Sequence, residues 1–135
     1  MLMTAEARLP IKYWSPGWIF RQILDTFWWE LTGQAANRFP ATFRKDQGHF
    51  GHPGYVLAEI GDYQITLCPM STRHHGKRYV RAGTRLEVTG HIFDKDSYLV
   101  ESALINLPRK AGLFADLPRF LGICPPDKLA GKVGK

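Results

Sequence analysis

The first apolar pattern along the chain is an aromatic segment over residues 18–31. Ser15-Pro16 before it is typical of a helix N-cap followed by proline in the first turn, and Gly33 after it is typical of a helix end. The residues of the pattern are Trp18, Phe20, Ile23, Leu24, Phe27, Trp28 and Leu31. They recur at helical spacing, but aromatic and β-branched side chains also favour strands. We therefore predict a helical or extended segment that covers an open side of the fold.

Beyond Pro53 the pattern becomes one of short strands. Residues 34–53 have no clean period and predict a long loop. The next two apolar runs flank Gly61-Asp62, a turn sequence, and predict a β-hairpin. The predicted strands cover residues 55–60, 63–68, 85–89 and 97–105, with a turn at 94–96 before the last of them.

The remaining segments, 108–117 and 125–129, predict short helical or irregular pieces. Short antiparallel strands with little helix between them cannot bury both faces as a flat sheet, so curling into a small barrel is economical. A chain of 135 residues with 44% hydrophobic and 22% charged residues is typical of one folded domain. We predict a single α+β domain over residues 1–135, with a small antiparallel β-barrel, the aromatic segment and a short C-terminal helix.

Two classes of protein are disfavoured by the sequence. Arg21, Asp25 and Glu30 interrupt the most apolar stretch, so no membrane-spanning helix is predicted and a cytoplasmic location is expected. Cys68 and Cys124 lie far apart and outside any CxxC pattern. This favours two buried thiols over a zinc site or a disulfide framework.

A basic cluster follows the predicted hairpin. Its residues are Ser71, Thr72, Arg73, His74, His75, Lys77 and Arg78. Hydroxyls and guanidinium groups donate hydrogen bonds to phosphoryl oxygens, and imidazole exchanges protons at neutral pH. The formal charge of +6 also favours a polyanionic partner. The cluster predicts a phosphate-binding loop, with a solvated hairpin loop as the alternative.

A second cluster, His49 and His52 among glycines, precedes the hairpin. Together with His74 and His75 it would form a metal site only if a carboxylate or thiolate completed the ligand spacing, which none does, so we predict no metal or other cofactor. His52 precedes the first hairpin strand and Ser71 follows the second, so an antiparallel pair brings both to one end. We expect the two clusters to face one pocket.

Three stretches carry a family resemblance. GHPGYVLAEIGDYQITLCPMST resembles the core of the MazF/PemK toxins, in which Arg-Pro precedes one strand and Pro-Ile-Thr or Pro-Ile-Ser ends the next. KDSYLVESALINLPRKAGL is similar to the family's Lys-Asp-Ser strand, and FLGICPPDKL to its closing strand and helix. The resemblance covers about residues 51–129 and implies a compact SH3-like barrel core over that range.

The resemblance also implies a function. Proteins of this family are metal-independent endoribonucleases that cleave single-stranded RNA through a cyclic phosphate, are often dimeric and are inhibited by a cognate antitoxin. Ser71 matches the family's active-site Thr or Ser, and His52 stands at the place of its catalytic Arg, so Arg73 or Arg78 must supply the fixed charge. We predict His52, Ser71 and Arg73 as catalytic residues. The predicted RNA-binding residues are His49, Thr72, His74, His75, Lys77 and Arg78.

Two departures leave other functions open. Besides His52 in place of Arg, Ser102 stands near the family's acidic position, with Glu101 beside it. Both departures favour an alternative in which the barrel binds RNA or a partner protein without cutting it. A third hypothesis makes residues 18–31 an exposed apolar surface for an antitoxin, a second subunit or lipid. The alternative to this third hypothesis is that those aromatic residues are mostly buried in the core.

Overall fold

The computed structural model describes residues 10–24, 51–73, 76–110 and 118–131. Its strands are β1 Trp18–Leu24, β2 Gly51–Ile60, β3 Gln64–Ser71, β4 Arg78–Val80, β5 Ser97–Leu99, β6 Ile105–Pro108, β7 Arg119–Ile123 and β8 Ala130–Gly131. They form one curled, half-barrel sheet of mostly antiparallel strands in the order β7-β1-β2-β3-β5-β4-β8, with β6 also paired to β3. The sheet is consistent with the small β-barrel that the sequence predicts.

Helical structure in the described ranges is confined to short 3-10 turns. These turns are Ile11–Tyr13, Glu101–Ala103 and Pro126–Lys128. The predicted C-terminal helix is therefore a single turn of three residues that begins with proline after Pro125. No helix among the described residues is long and apolar enough to cross a bilayer.

The β2–β3 hairpin is confirmed, with strands longer than the sequence predicts. Val56 lies opposite Leu67 and Gly54 opposite Pro69, and the turn after Ile60 contains Gly61 at a φ of 59°. Only glycine adopts that left-handed conformation without a steric cost. The predicted loop over 34–53 is wrong at its end, because residues 51–53 belong to β2. Residues 34–50 lie outside the described ranges.

The helical interpretation of the aromatic segment is wrong over Trp18–Leu24, and the extended alternative is confirmed there. This stretch is β1, which pairs with β2 along one edge and with β7 along the other. A strand in this position has apolar neighbours on both faces, which explains why its side chains lack the alternation of a half-exposed strand. Phe27, Trp28 and Leu31 lie outside the described residues.

The single strand predicted over 97–105 is divided in two. β5 pairs with the end of β3 at Met70 and Ser71, whereas β6 pairs with its start, Thr66 lying opposite Asn106. The 3-10 turn Glu101–Ala103 separates the two strands. One long strand thus pairs with two short ones in succession along the same edge.

The strand predicted over 85–89 is also wrong. Residues there make only isolated bridges, Arg85 with Ile92 and Glu87 with Ile123. Val88 and Gly90 both have a φ of 75°, so the chain turns sharply instead of extending. The neighbouring strand is β4, which begins at Arg78 inside the segment predicted as a basic loop.

The two faces of the sheet carry separate apolar clusters, since successive residues of a strand point to opposite sides. We call the side of Phe20, Val56 and Leu67 the first face, and the side of Tyr55 and Cys68 the second face. The first-face cluster is completed by Ile11, Trp14, Ile23, Ile65, Val100, Ala103, Ile105, Leu107 and Phe120. The second-face cluster is completed by Ile19, Met70, Val80, Leu86, Leu99, Leu121 and Cys124.

Contacts between aromatic rings cover part of the first face. The segment before β1 places the Trp14 ring 3.9 Å from the Phe20 ring, and Phe20 in turn meets Phe120 at 5.9 Å. The half-buried Trp18 ring lies 5.2 Å from Phe120. The N-terminal segment therefore does cover the sheet, but through Ile11 and Trp14 rather than through the residues that form β1.

Candidate functional site

The predicted pair of His52 and Ser71 lies at one end of the β2–β3 hairpin. The β2–β3 ladder ends with Gly54 opposite Pro69, and His52 and Ser71 each stand two positions beyond this pair. Alternation assigns both to the first face, since Val56 and Leu67 also belong to it. His52 pairs on its other side with Ile23, another first-face residue. The strand register thus assigns His52 and Ser71 to one side and one end of the hairpin; the sharing of one pocket by the two clusters stays a prediction.

Two tyrosines that the sequence analysis did not single out continue this line across the sheet. Ser71 lies opposite Tyr98 of β5, and Tyr98 lies opposite Tyr79 of β4. The two tyrosine rings are tilted by 38° with centroids 4.9 Å apart, and both are half-buried. We call the set His52, Ser71, Tyr98 and Tyr79 the transverse row.

Ser71 is a buried hydroxyl with a local structural role. Ser71 is only 3% exposed, and its Oγ accepts a hydrogen bond from the backbone N–H of Arg73 at 3.2 Å. Such a bond holds a turn after the strand and still leaves the serine O–H able to donate. Thr72 and Arg73 are exposed on that turn. The arrangement places an exposed hydroxyl and guanidinium directly beside the transverse row.

Arg78 forms a two-point ion pair with Glu101. Nε donates to Oε2 at 3.1 Å and Nη2 donates to Oε1, which ties β4 to the 3-10 turn after β5. The hydrogen bond to Glu101 is the main reason that the pKa of Arg78 is raised. Arg78 also neighbours Tyr79 along β4, so alternation assigns it to the second face. Its predicted contact with RNA stays a prediction, and its guanidinium fork is engaged by Glu101.

Three predicted RNA-binding residues, His49, His74 and His75, lie outside the described residues. Lys77, at the start of the next described stretch, is exposed. Within the described ranges no three His, Cys, Asp or Glu side chains are grouped so as to hold a metal ion.

The second face carries a cleft of about 280 Å³ that sequence reasoning missed. Its lining residues are Arg21, Gly51, Pro53, His91, Phe93 and Leu121. Gly51 and Pro53 flank His52 in β2, so the cleft and the imidazole of His52 lie on opposite sides of the sheet. This cleft is therefore a different feature from the pocket expected between the two clusters, which stays a prediction.

The second-face cluster also holds titratable groups. Tyr55 Oη donates to the carbonyl oxygen of Cys124 at 2.7 Å, and burial raises the pKa of Tyr55. Burial likewise raises the pKa of Cys68 and of Cys124. Both cysteines are free and buried, as the sequence predicts. Held protonated, these groups serve packing and are poor nucleophiles.

Sequence signals for the missed residues were weak. Tyr98 falls within a predicted strand and Tyr79 within a basic run, and strand pairing alone makes them neighbours. Arg21 and His91 are 70 positions apart in the chain, and they line the same cleft only because the sheet curls. No protein-family model, no curated protein and no solved structure matches this chain.

Proposed function

We propose that the protein binds single-stranded RNA across the transverse row. The observation that carries the proposal is the tyrosine pair, two half-buried rings 4.9 Å apart on the first face and in line with Ser71. Stacking of a base on an aromatic ring contributes about 1–3 kcal/mol and tolerates any base. Because strand pairing orders both tyrosines beforehand, little side-chain entropy is lost when a base stacks on them.

Positive charge around the row supports the same proposal. Arg73 is exposed on the turn that follows Ser71, and Lys77 is exposed two residues before Tyr79. Arg81 is exposed just beyond the end of β4. Phosphate contacts by such side chains release counterions, so affinity should fall steeply with added salt. Exposed hydroxyls, such as that of Thr72, are suited to the ribose 2′-hydroxyl, which distinguishes RNA from DNA.

Fluorescence anisotropy with a labelled single-stranded oligouridine of twelve nucleotides tests the proposal. Tyr79→Leu should weaken binding about tenfold through lost stacking, whereas Tyr79→Phe, which keeps the ring, should bind like the parent. Arg73→Gln should weaken binding and flatten the salt dependence by about one phosphate contact. Lys110→Gln, an exposed cation beyond β6 at the other end of β3, is the matched control. Equal binding by Tyr79→Leu and Tyr79→Phe would contradict the proposal.

A second candidate function is metal-independent RNA cleavage, as the MazF/PemK resemblance implies. What favours it is the assignment of His52 and Ser71 to one face at one end of the hairpin. In this reaction the ribose 2′-oxygen forms a bond to the adjacent phosphorus and the bond to the 5′-oxygen breaks. His52 would accept the 2′-hydroxyl proton, the leaving 5′-oxygen would take its proton from solvent, and Arg73 would stabilise the charged phosphorane. An antitoxin and a second subunit are the protein partners that this candidate implies.

Cleavage and binding are separated by one assay. Single-stranded RNA is incubated with the protein in EDTA, and the products are analysed for 2′,3′-cyclic phosphate ends. Loss of such ends in a His52→Ala/Ser71→Ala double variant that still binds oligouridine would support cleavage at this site. Intact RNA with the parent protein, or undiminished cleavage by the double variant, would leave binding as the function.

A further inference from the structure

The tyrosine pair of the transverse row has no room for a base between its rings. A base held between two aromatic rings keeps them about 7 Å apart, twice the contact distance of roughly 3.5 Å between carbon atoms. The Tyr79 and Tyr98 ring centroids are only 4.9 Å apart. A base that binds this pair therefore stacks on an outer side of the pair, beside either Tyr79 or Tyr98.

The outer side of Tyr98 offers a base little surface. Ser71 lies opposite Tyr98 on that side, and Ser71 is only 3% exposed. Tyr98 therefore has the Tyr79 ring on one side and a covered part of the sheet on the other. The strand order β3-β5-β4-β8 leaves the outer side of Tyr79, which faces β8.

Beside Tyr79, β8 presents only small side chains. β8 consists of Ala130 and Gly131, and Ala130 lies directly opposite Tyr79. Leu129 and Val80 belong with the second-face cluster, so alternation assigns their neighbours Ala130 and Tyr79 to the first face. Ala130 and Tyr79 are both half-buried. The sheet thus leaves a shallow position beside the Tyr79 ring, with the Ala130 methyl group as its floor. We call it the base position.

The base position is open on its outer side. β8 is the last strand in the order of the sheet, and no strand of the described ranges pairs with its other edge. Within those ranges, the side chains of a further strand therefore set no limit to the width of a base. Stacking strengthens with the overlap of the two ring systems, so a two-ring purine gains more at this position than a one-ring pyrimidine.

We propose that the transverse row binds one unpaired base, stacked on Tyr79 above Ala130, and that it prefers a purine there. This inference rests on the proposed function and adds to it the number, the place and the kind of base. Arg81, exposed two positions beyond Tyr79, supplies positive charge for the phosphates of the bound strand. Ala130 determines specificity, because its small side chain leaves room for the base.

Fluorescence anisotropy compares two labelled RNA strands, an oligouridine of seven nucleotides and the same strand with one central adenosine. We expect the parent to bind the adenosine strand about threefold more tightly. Ala130→Leu, which fills the base position, should weaken binding of that strand about tenfold and remove the preference. Ala130→Ser, which keeps a small side chain, should bind both strands like the parent. Ala58→Leu, the same enlargement at a half-buried alanine that lies opposite Thr66, is the matched control.

A double variant separates a lost contact from a general disturbance of β8. Tyr79→Leu/Ala130→Leu should bind the adenosine strand no more weakly than Tyr79→Leu alone, because both changes remove the same contact. Thermal denaturation verifies folding. If Ala130→Leu does not fold, Ala130→Val, whose branched side chain suits a strand, replaces it.

Two results would overturn this inference and leave the proposed function intact. One is equal affinity of the parent for the two strands, and the other is parent-like binding by Ala130→Leu while Tyr79→Leu binds weakly. Binding of neither strand by the parent would overturn the proposed function and this inference with it.

Discussion

The two faces of the sheet are built from different kinds of side chain. Among the described residues, the first-face cluster contains no titratable side chain, and it centres on the Trp14, Phe20 and Phe120 rings. The second-face cluster contains Tyr55, Cys68 and Cys124, whose polar atoms are buried with it. We infer that truncating a side chain of the first-face cluster lowers the free energy of unfolding most. For the second-face cluster, we expect the free energy of unfolding to depend on pH and on the packing of the turn containing Leu86 and Thr89 against Gly122.

The largest expected effect is truncation at the centre of the first face. Phe20→Ala removes a fully buried ring that stacks on Trp14 and should lower the free energy of unfolding by about 4 kcal/mol. Tyr63→Ala, at a position 82% exposed, is the matched control and should change it by less than about 0.5 kcal/mol. Urea denaturation followed by tryptophan fluorescence measures both. Similar losses in the two variants would contradict the assignment of Phe20 to the core.

A smaller loss of folding stability is expected at Gly122 of β7, against which the turn containing Leu86 and Thr89 packs. A Cβ at Gly122 would lie 2.6 Å from Leu86 Cβ and 2.7 Å from Thr89 Oγ1, and the φ of this residue is 146°. Gly122→Ala should therefore cost about 3 kcal/mol, the sum of overpacking and backbone strain.

Gly61→Ala separates those two contributions. Gly61 has a φ of 59°, but nothing lies within 4 Å of its Cβ position, so only the strain of about 1 kcal/mol applies. Thermal denaturation of both variants gives the comparison. Equal destabilisation would show that the turn does not pack on Gly122.

The next effect is a loss of folding stability at alkaline pH, which arises from buried titratable groups of the second-face cluster. Burial raises the pKa of Tyr55 and of Cys68 above their ordinary values of 10.0 and 9.0. Above about pH 9 the unfolded chain releases protons that the folded chain retains, so the free energy of unfolding falls as pH rises. The loss should reach about 2 kcal/mol by pH 10. Below about pH 8 these groups are protonated in both states and contribute no slope.

Denaturation at pH 7 to 10 measures this slope, with Tyr55→Phe/Cys68→Ala as the comparison. The double variant is expected to be less stable at pH 7, since it loses the hydrogen bond to the Cys124 carbonyl. Its decline above pH 9 should nevertheless be shallower than that of the parent. An equally steep decline would mean that other groups determine the alkaline response.

The smallest expected effect concerns the Arg78–Glu101 pair. The side chains are 16% and 29% exposed, so Glu101→Gln should lower the free energy of unfolding by less than about 1 kcal/mol. Since Arg78 is assigned to the second face, the affinity for oligouridine should stay within about twofold of the parent at fixed salt. Anisotropy titration checks this. A clear gain in affinity would show that Arg78, once released from Glu101, reaches RNA.

Sequence patterns predict the β2–β3 hairpin and the polar residues at its end, but not the strands that pair with it. The alternation around Gly61 predicts β2 and β3, and antiparallel pairing alone brings His52 and Ser71 to one end. The pairing of β3 with both β5 and β6 left no local signal, so one strand was predicted where two exist. Helical spacing in β1 was misleading, because a strand with neighbours on both faces needs no alternation.

What the sequence by itself determined was local: the turn at Gly61, the extended apolar runs, the positive charge and the two buried thiols. These follow from backbone sterics and side-chain chemistry within a few residues. Only the tertiary structure decided that Tyr98 contacts Tyr79, that Arg78 forms an ion pair with Glu101 and that Arg21 lies opposite Arg119 in the β1–β7 ladder. Each of these pairs joins distant positions, and its geometry depends on strand register, which packing of the whole sheet determines.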